Sequence, residues 1–211
     1  SRFGLVFDAT DPVVLYTKAP AANHFEWRIH GQAAHAAVAP ERGLSAIKIA
    51  SEAIANMRLG RIDEETTANI GIIRGGAATN IIPEHVVVQG EARSRNPEKL
   101  ALQTQHMVQC FEEAAARHRV ELDTQVVLGR VETDIEKAYD AMDLADDAPI
   151  VRLAQAAGQN LKLPVALAAM GGACDANVFN GRHGHEIANW RGLLNSSIAA
   201  GPLLGRQSFC S

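Results

Sequence analysis

The sequence predicts an α/β unit that is interrupted by an inserted α+β unit, and three features lead to this prediction. From Ala21 onwards, stretches with a hydrophobic period of two alternate with stretches of helical period, as expected of a sheet covered by helices. Glycine pairs at Gly75-Gly76 and Gly171-Gly172 end two of the strand-like stretches. The segments before Ala21 and after Thr133 instead carry the short apolar runs of a separate α/β unit.

The first strand and helix of the inserted unit are the clearest elements. Phe25, Trp27 and Ile29 alternate with polar residues, which is the period of a half-buried strand, and Gly31 ends it. After a loop, apolar residues recur at helical spacing and predict a helix of about four turns with one apolar stripe. The members of this stripe are Leu44, Ile47, Ala50, Ile54 and Met57.

Two further strands and a second helix follow. Residues 66–74 and 85–93 are rich in β-branched residues and flank the glycine turn, so both are predicted strands. The sequence Asn96-Pro97-Glu98 predicts a helix start, because Asn caps free amides, Pro suits the first helical position and an acid suits the helix dipole there. The buried face of this helix is predicted to hold Leu100, Met107, Phe111 and Ala115.

A fourth strand is predicted at residues 120–128, which also alternate. Residues 21–133 therefore form a predicted βαββαβ, or ferredoxin-like, domain: a four-stranded antiparallel sheet with two helices on one face. Residues 1–20 and 134–189 are the predicted flanking α/β segments, the second with a helix near Ile150 and a strand at 165–170. Residues 190–211 form a separate tail.

The composition is that of an ordinary globular protein and narrows the functional classes. The chain is 47% apolar and 21% charged, which is enough to bury a core. Its formal net charge is -4 and no basic cluster stands beside aromatic residues, which argues against nucleic-acid binding. No apolar run reaches the roughly 20 residues of a membrane span. The 3 cysteines are far apart, which favours a reducing cytoplasm over a disulfide framework.

Three motifs occur in order along the chain: GQAAHAAVAPERG at 31–43, GGAATNIIP at 75–83 running into GEARS at 90–94, and GGACDANVFNG at 171–181. Together they resemble the dinuclear zinc exopeptidases that include peptidase T, aminoacylase and the glutamate carboxypeptidases, and they are most similar to the peptidase T-like branch. The resemblance implies the C-terminal portion of such an enzyme, in which a lid and dimerisation domain is inserted into the catalytic domain. It implies a short peptide as substrate and a homodimer formed through the lid.

The resemblance also implies a role for His35. In enzymes of this kind the lid histidine donates a hydrogen bond to the oxygen that gains charge during hydrolysis, often in the site of a partner subunit. A placed donor of this sort is among the larger contributions to catalysis. The alternative is a loop histidine that caps local backbone carbonyls.

Two further residues are implied substrate anchors. The amide of Asn80 would contact the peptide backbone or carboxylate, although an Asn in a turn often bonds its own backbone instead. Arg93 is predicted on the sheet face opposite Val86 and Val88, where its guanidinium would hold the free carboxylate of a peptide. Its alternative is a surface ion pair with a neighbouring acid, which contributes little.

The implied metal chemistry depends on residues at the two ends of the chain. Asp8 resembles a carboxylate ligand to one of two zinc ions that polarise the scissile carbonyl, or it begins a turn before Pro12. Asp175 resembles part of a loop that shapes the substrate pocket, or it caps the turn that follows.

Most of the family's other metal ligands, and its general base, precede the region that matches this chain, so the chain alone is expected to be inactive. The family's final zinc-binding histidine is expected after Gly181, but His183 and His185 come too early to be assigned as that ligand, and residues 190–211 do not resemble the family. A non-catalytic dimerisation module is the main alternative, and a free-standing ferredoxin-like regulatory domain is a third.

Overall fold

The computed structural model describes residues 3–7, 14–183 and 186–191. In chain order the strands are β1 (Phe3–Phe7), β2 (Val14–Ala19), β3 (Ala21–His30), β4 (Ala34–His35), β5 (Gly60–Arg61), β6 (Thr66–Gly75), β7 (Ile81–Ile82), β8 (His85–Ser94), β9 (Arg119–Leu122), β10 (Gln125–Leu128), β11 (Arg130–Tyr139), β12 (Met142–Asp143), β13 (Ala166–Ala169) and β14 (Glu186–Arg191). The helices are α1 (Ala46–Asn56), α2 (Pro97–Arg117), α3 (Pro149–Asn160) and α4 (Asp175–His183).

The inserted unit is an antiparallel sheet with the strand order β11-β3-β8-β6-β5, covered on one face by α1 and α2. Alternate residues of β3 enter the core between sheet and helices. Trp27 is fully buried there and stacks between Phe25, at 4.9 Å, and Phe111 of α2, at 4.6 Å. The other face of the sheet is polar and is called the open face here; it carries His24, Glu26 and Arg28.

The predicted fourth strand at residues 120–128 is wrong. These residues form a separate hairpin, β9 and β10, because the alternation runs on through a turn at Asp123-Thr124. The strand that pairs with β3 is β11, whose acids had suggested that the flanking unit starts at residue 134. Its acids belong to the open face, where Asp134 bonds Arg28 at 2.9 Å, and they hide the alternation with apolar residues. The sheet has five strands instead of four, because the two-residue β5 adds to β6.

The two helices of the inserted unit confirm part of the predicted pattern. The Asn96 side chain caps α2 by accepting from the backbone N–H groups of Glu98, at 2.9 Å, and Lys99, at 3.1 Å. The predicted buried face of α2 is confirmed. Around α1, most of the predicted stripe faces the core: Leu44, Ala50 and Met57 are buried and Ile54 packs against the same cluster. Ile47 is the exception, at 41% exposed, and the further buried positions of the helix are Ala46, Ile49 and Ala53.

The flanking unit has its own sheet and its own core. Its strand order is β1-β14-β2-β12, and β13 also pairs with β2. The helix predicted near Ile150 and the strand predicted at residues 165–170 are present as α3 and β13. A second hydrophobic cluster, separate from that of the inserted unit, joins this sheet to α3 and α4. Among the described residues, no helix is long and apolar enough to cross a membrane.

The chain crosses between the two units twice, and the two crossings lie side by side. On the inserted side Ala22 pairs with Tyr139, and on the flanking side Ala19 pairs with Met142. Between these two pairs lie Pro20–Ala21 in the first crossing and 140–141 in the second. Both chain connections between the inserted unit and the flanking unit therefore lie at one place.

Candidate functional site

His35 and Asn80 lie together at one exposed end of the inserted unit. Strand β4 pairs with β7, with His35 opposite Ile81, and the backbone N–H of Ala36 donates to the carbonyl of Asn80 at 2.9 Å. Both residues are exposed. Two loops that are far apart in sequence thus present an imidazole and a carboxamide on the same rim.

The hydrogen bonding of His35 leaves it suited to donate. The backbone N–H of Ala37 donates to Nδ1 of His35 at 3.2 Å, so in the neutral ring Nδ1 is the acceptor and Nε2 carries the hydrogen. The ring accepts from a local amide and does not cap a local carbonyl through Nδ1. An exposed Nε2–H is therefore available for an oxygen of a ligand.

The glycines of the first two motifs bring these loops together. A Cβ at Gly43 would lie 2.3 Å from Cδ1 of Ile82 and 3.1 Å from Cβ of Ala34, so the first loop packs tightly against the second at this glycine. Gly76 has a φ of 82°, a left-handed conformation that favours glycine. The motif spacing thus reflects the geometry that places His35 beside Asn80.

Arg93 is on the open face of the sheet, as predicted from its position opposite Val86 and Val88. Its Nη2 donates to Oε2 of Glu91 at 2.8 Å, and this bond raises the pKa of Arg93, so the side chain stays cationic. Its Nε is buried and makes no hydrogen bond to any described residue. The ion pair predicted as the alternative is therefore present.

Arg93 is remote from His35 and Asn80 within one chain. From His85 to Arg93 there are eight residue steps along β8, which corresponds to about 27 Å at ~3.4 Å per residue. The Asn80 loop precedes the His85 end, whereas Arg93 is at the other end, in register with Ala22 beside the crossings. No single cleft of one chain contains all three residues.

The remaining predicted residues are placed as follows. Asp8 lies outside the described residues. Asp175 is the exposed first residue of α4. The side chain that bonds the backbone at this helix start is that of Asn177, whose Oδ1 accepts from the backbone N–H of Cys174 at 3.0 Å. Asn177 lies within the motif at 171–181, and its structural role follows from contacts that are not local in sequence.

The described residues do not build a metal site. Within residues 3–7, 14–183 and 186–191, no group of three or more His, Cys, Asp or Glu side chains is arranged to hold a metal ion. The described part of the chain does not by itself provide the ligands of a zinc centre.

The free edge of β6 is a feature that sequence reasoning missed. Strand β5 covers β6 only at Thr67 and Ala68, which leaves the apolar run from Ile70 to Ile73 on the sheet edge. Ile73 is 52% exposed, and Ile47 of α1, 41% exposed, lies beside the end of β6, with its Cδ1 3.7 Å from a Cβ built at Gly76. This surface, formed by the β6 edge and Ile47, is called the β6 surface below. The low charge of residues 70–73 was the available signal.

Comparisons with known proteins agree with this arrangement. The family model described as the peptidase dimerisation domain, of M20 type, matches residues 21–119. The uncharacterized protein YqjE of Bacillus subtilis is 43% identical over 190 residues, which are 90% of this chain and 48% of that protein.

Solved structures are similar over the same length. Aminopeptidase PepT from Bacillus cereus is 37% identical with a TM-score of 0.80, over 90% of this chain and 49% of that one. A tripeptidase from Staphylococcus aureus is 35% identical with a TM-score of 0.81, over 90% and 48%. A dinuclear metal-binding peptidase of the M20 family from Bacillus subtilis shares the fold, with 16% identity and a TM-score of 0.62, over 89% and 46%. The chain spans about half the length of these relatives.

Proposed function

We propose that this chain is the lid-bearing part of a metal-dependent exopeptidase of peptidase T type, because it carries the M20 peptidase dimerisation domain at residues 21–119. Its substrates are short peptides. The observation that carries the proposal is the placement of His35 beside Asn80 on one exposed rim. The similarity to an aminopeptidase and a tripeptidase over 90% of the chain supports it.

Each side chain has a distinct part in this proposal. The Nε2–H of His35 donates to the scissile carbonyl oxygen as it gains charge, and the Asn80 carboxamide holds the peptide backbone. Arg93 binds the free carboxylate of the peptide, and Asp175, at the start of α4 and directly after the glycine-rich loop, borders the pocket. Because His35 and Arg93 are at opposite ends of the sheet, His35 and Asn80 of one subunit serve the site of its partner, whereas Arg93 serves the site of its own subunit.

The metal belongs to the complete enzyme. Two zinc ions would supply an activated water and polarise the carbonyl, with Asp8 as one proposed ligand. Because the resemblance puts most of the family's other metal ligands and its general base before the region that matches this chain, we expect the 211-residue chain to be inactive alone.

The test compares the chain alone with a chimera in which it follows the N-terminal half of the Bacillus cereus aminopeptidase. With added zinc or cobalt, the chimera should hydrolyse tripeptides and the chain alone should not. Amidating the peptide's C-terminus should slow the chimera because it removes the carboxylate that Arg93 binds. Turnover by the chain alone would refute the inactivity, and a folded, metal-loaded chimera without turnover would contradict the proposed activity.

A second candidate function is a non-catalytic module that mediates self-association. The β6 surface favours it, because a free, apolar and nearly uncharged sheet edge readily pairs with a second copy. The opposite edge strand, β11, is rich in charged residues, which oppose such pairing. Sedimentation of the chain with and without a chelator separates the two functions: a dimer that ignores metal and a chimera without turnover would favour the module.

A further inference from the structure

The backbone pairing of the two crossings is interrupted between the pair Ala22–Tyr139 and the pair Ala19–Met142. Pro20 lies in the first crossing and has no amide hydrogen to donate. Asp140 lies in the second, next to a register shift in β11. The carbonyl oxygens of Pro20 and Asp140 therefore lie at the break and need donors from elsewhere, because buried backbone acceptors are rarely left unpaired.

One side chain supplies both donors. Asn177 of α4 is 1% exposed, and its Nδ2 donates to the carbonyl of Pro20 at 3.0 Å and to that of Asp140 at 2.9 Å. Its Oδ1 accepts from the N–H of Cys174 at the start of the helix. A carboxamide has two N–H donors and one carbonyl acceptor, and here all three groups are bonded.

The contact of α4 with the second crossing is close as well as hydrogen-bonded. A Cβ added at Gly181, one turn after Asn177, would lie 2.5 Å from Cβ of Asp140. Only glycine lets the helix come so near the crossing. Two independent features of α4 thus hold it against the place where the inserted unit leaves the flanking unit.

We infer that Asn177 is a positioning residue that fixes the orientation of the inserted unit relative to the flanking unit. Its carboxamide hydrogen-bonds both crossings to α4. Through the bond to Cys174 it also holds the end of the glycine-rich loop that precedes Asp175. A shift of the inserted unit would break these bonds and release that loop. The consequence for catalysis rests on the proposed function, in which the inserted unit is the lid; the positional role does not.

Asn180 provides a matched control on the same helix. Its carboxamide donates to the carbonyls of Ala176, at 2.6 Å, and Ile187, at 2.7 Å, and accepts from the N–H of Ile187 at 3.2 Å. All of these partners belong to the flanking unit. Losing them should loosen α4 without releasing the crossings.

The experiment measures the distance between the two units directly. Spin labels on unnatural amino acids replace Leu102 of α2 and Arg152 of α3, both of which are exposed. In Asn177→Asp a carboxylate faces two carbonyl oxygens, so both donors are lost. At neutral pH its distance distribution should be broader than that of the unsubstituted chain, whereas that of Asn180→Asp should stay narrow.

Acidification tests the hydrogen bonds specifically. Protonating the introduced carboxyl restores one donor, so the distribution of Asn177→Asp should narrow at low pH, over the range in which circular dichroism shows a folded chain. A distribution as narrow as that of the unsubstituted chain at neutral pH, equal broadening in both variants, or no narrowing on acidification would each overturn the inference.

If the variants do not fold, a measurement on the unsubstituted chain tests the hydrogen bonds of Asn177. With asparagine labelled by nitrogen-15, both carboxamide hydrogens of Asn177 should exchange slowly with solvent, because the side chain is 1% exposed and both hydrogens are donated to backbone carbonyls. Rapid exchange of either hydrogen would also overturn the inference. None of these measurements uses catalysis. The positional role of Asn177 can therefore be refuted while the proposed activity stands, and the proposed activity can be refuted while the positional role stands.

Discussion

His35 and Asn80 are separated by 45 positions in sequence and are joined by the bond from the N–H of Ala36 to the Asn80 carbonyl, at 2.9 Å. This bond holds the imidazole and the carboxamide on one rim. In the active chimera, replacing His35 with Ala, whose side chain has no hydrogen-bond donor, should lower kcat by about 100-fold, the usual effect of losing one oxyanion donor. The melting temperature should not change, because the His35 side chain is exposed. Steady-state kinetics and thermal unfolding check both expectations.

The control for this substitution is His24→Ala. The His24 side chain is 52% exposed, and it lies on the open face, 3.9 Å from Glu91. Its replacement should leave kcat nearly unchanged. Equal losses in the two variants would show that the His35 effect is not that of a placed donor.

Self-association through the β6 surface predicts a difference between the two edges of the sheet. Replacing Ile73 with Lys should convert a dimer to a monomer, because it places a charge on the apolar edge of β6. Ile135→Lys on the opposite edge strand, β11, is the matched control, since Ile135 is 48% exposed and Ile73 is 52% exposed. Sedimentation equilibrium gives the result. If Ile135→Lys dissociates the dimer and Ile73→Lys does not, the assembly uses the other edge.

The elements that the sequence predicted correctly are those in which one local rule was sufficient. The Asn96 cap and the alternation around Trp27 each follow from a few neighbouring residues, and both are confirmed. Strand β11 was missed because its alternate residues are acids whose partners, such as Arg28, are far away in sequence. The pairing of His35 with Ile81 is equally non-local, so the motifs could name these residues but could not place Arg93 at the opposite end of the sheet.

The core of the inserted unit depends on the stacking of Trp27 with Phe111, whose rings are 4.6 Å apart and fully buried. Replacing Phe111 with Ala should lower the free energy of unfolding by about 3–5 kcal/mol, because it removes the buried ring and leaves a cavity. Leu102→Ala on the same helix should change it by no more than about 0.5 kcal/mol, since Leu102 is 64% exposed. Urea unfolding measures both. Similar values for the two variants would contradict the assigned packing of α2.

The carboxylate of Asp63 predicts how stability depends on pH. The pKa of Asp63 is lowered from 3.8 to about 2, first by the backbone N–H of Glu65 and further by Lys99 and Thr66. A carboxyl whose pKa is lower in the folded state stabilises the protein fully above its ordinary pKa, and it loses this contribution as the pH falls towards the folded value. The deficit in melting temperature of Asp63→Asn should therefore be constant above pH about 5 and should shrink between pH about 4 and 2.

A companion variant separates the two kinds of partner of Asp63. Lys99→Gln removes the cation that lies 3.1 Å from Oδ2 but leaves the backbone donors to Oδ1 in place. Because the N–H of Glu65 is the largest cause of the lowered pKa, Lys99→Gln should keep most of the acid dependence that Asp63→Asn loses. Thermal melts of the three proteins across the acidic range provide the comparison. If Lys99→Gln flattens the dependence of melting temperature on pH as much as Asp63→Asn does, the ion pair with Lys99 is the main cause of the lowered pKa of Asp63, and the turn formed by residues 63–66 is not.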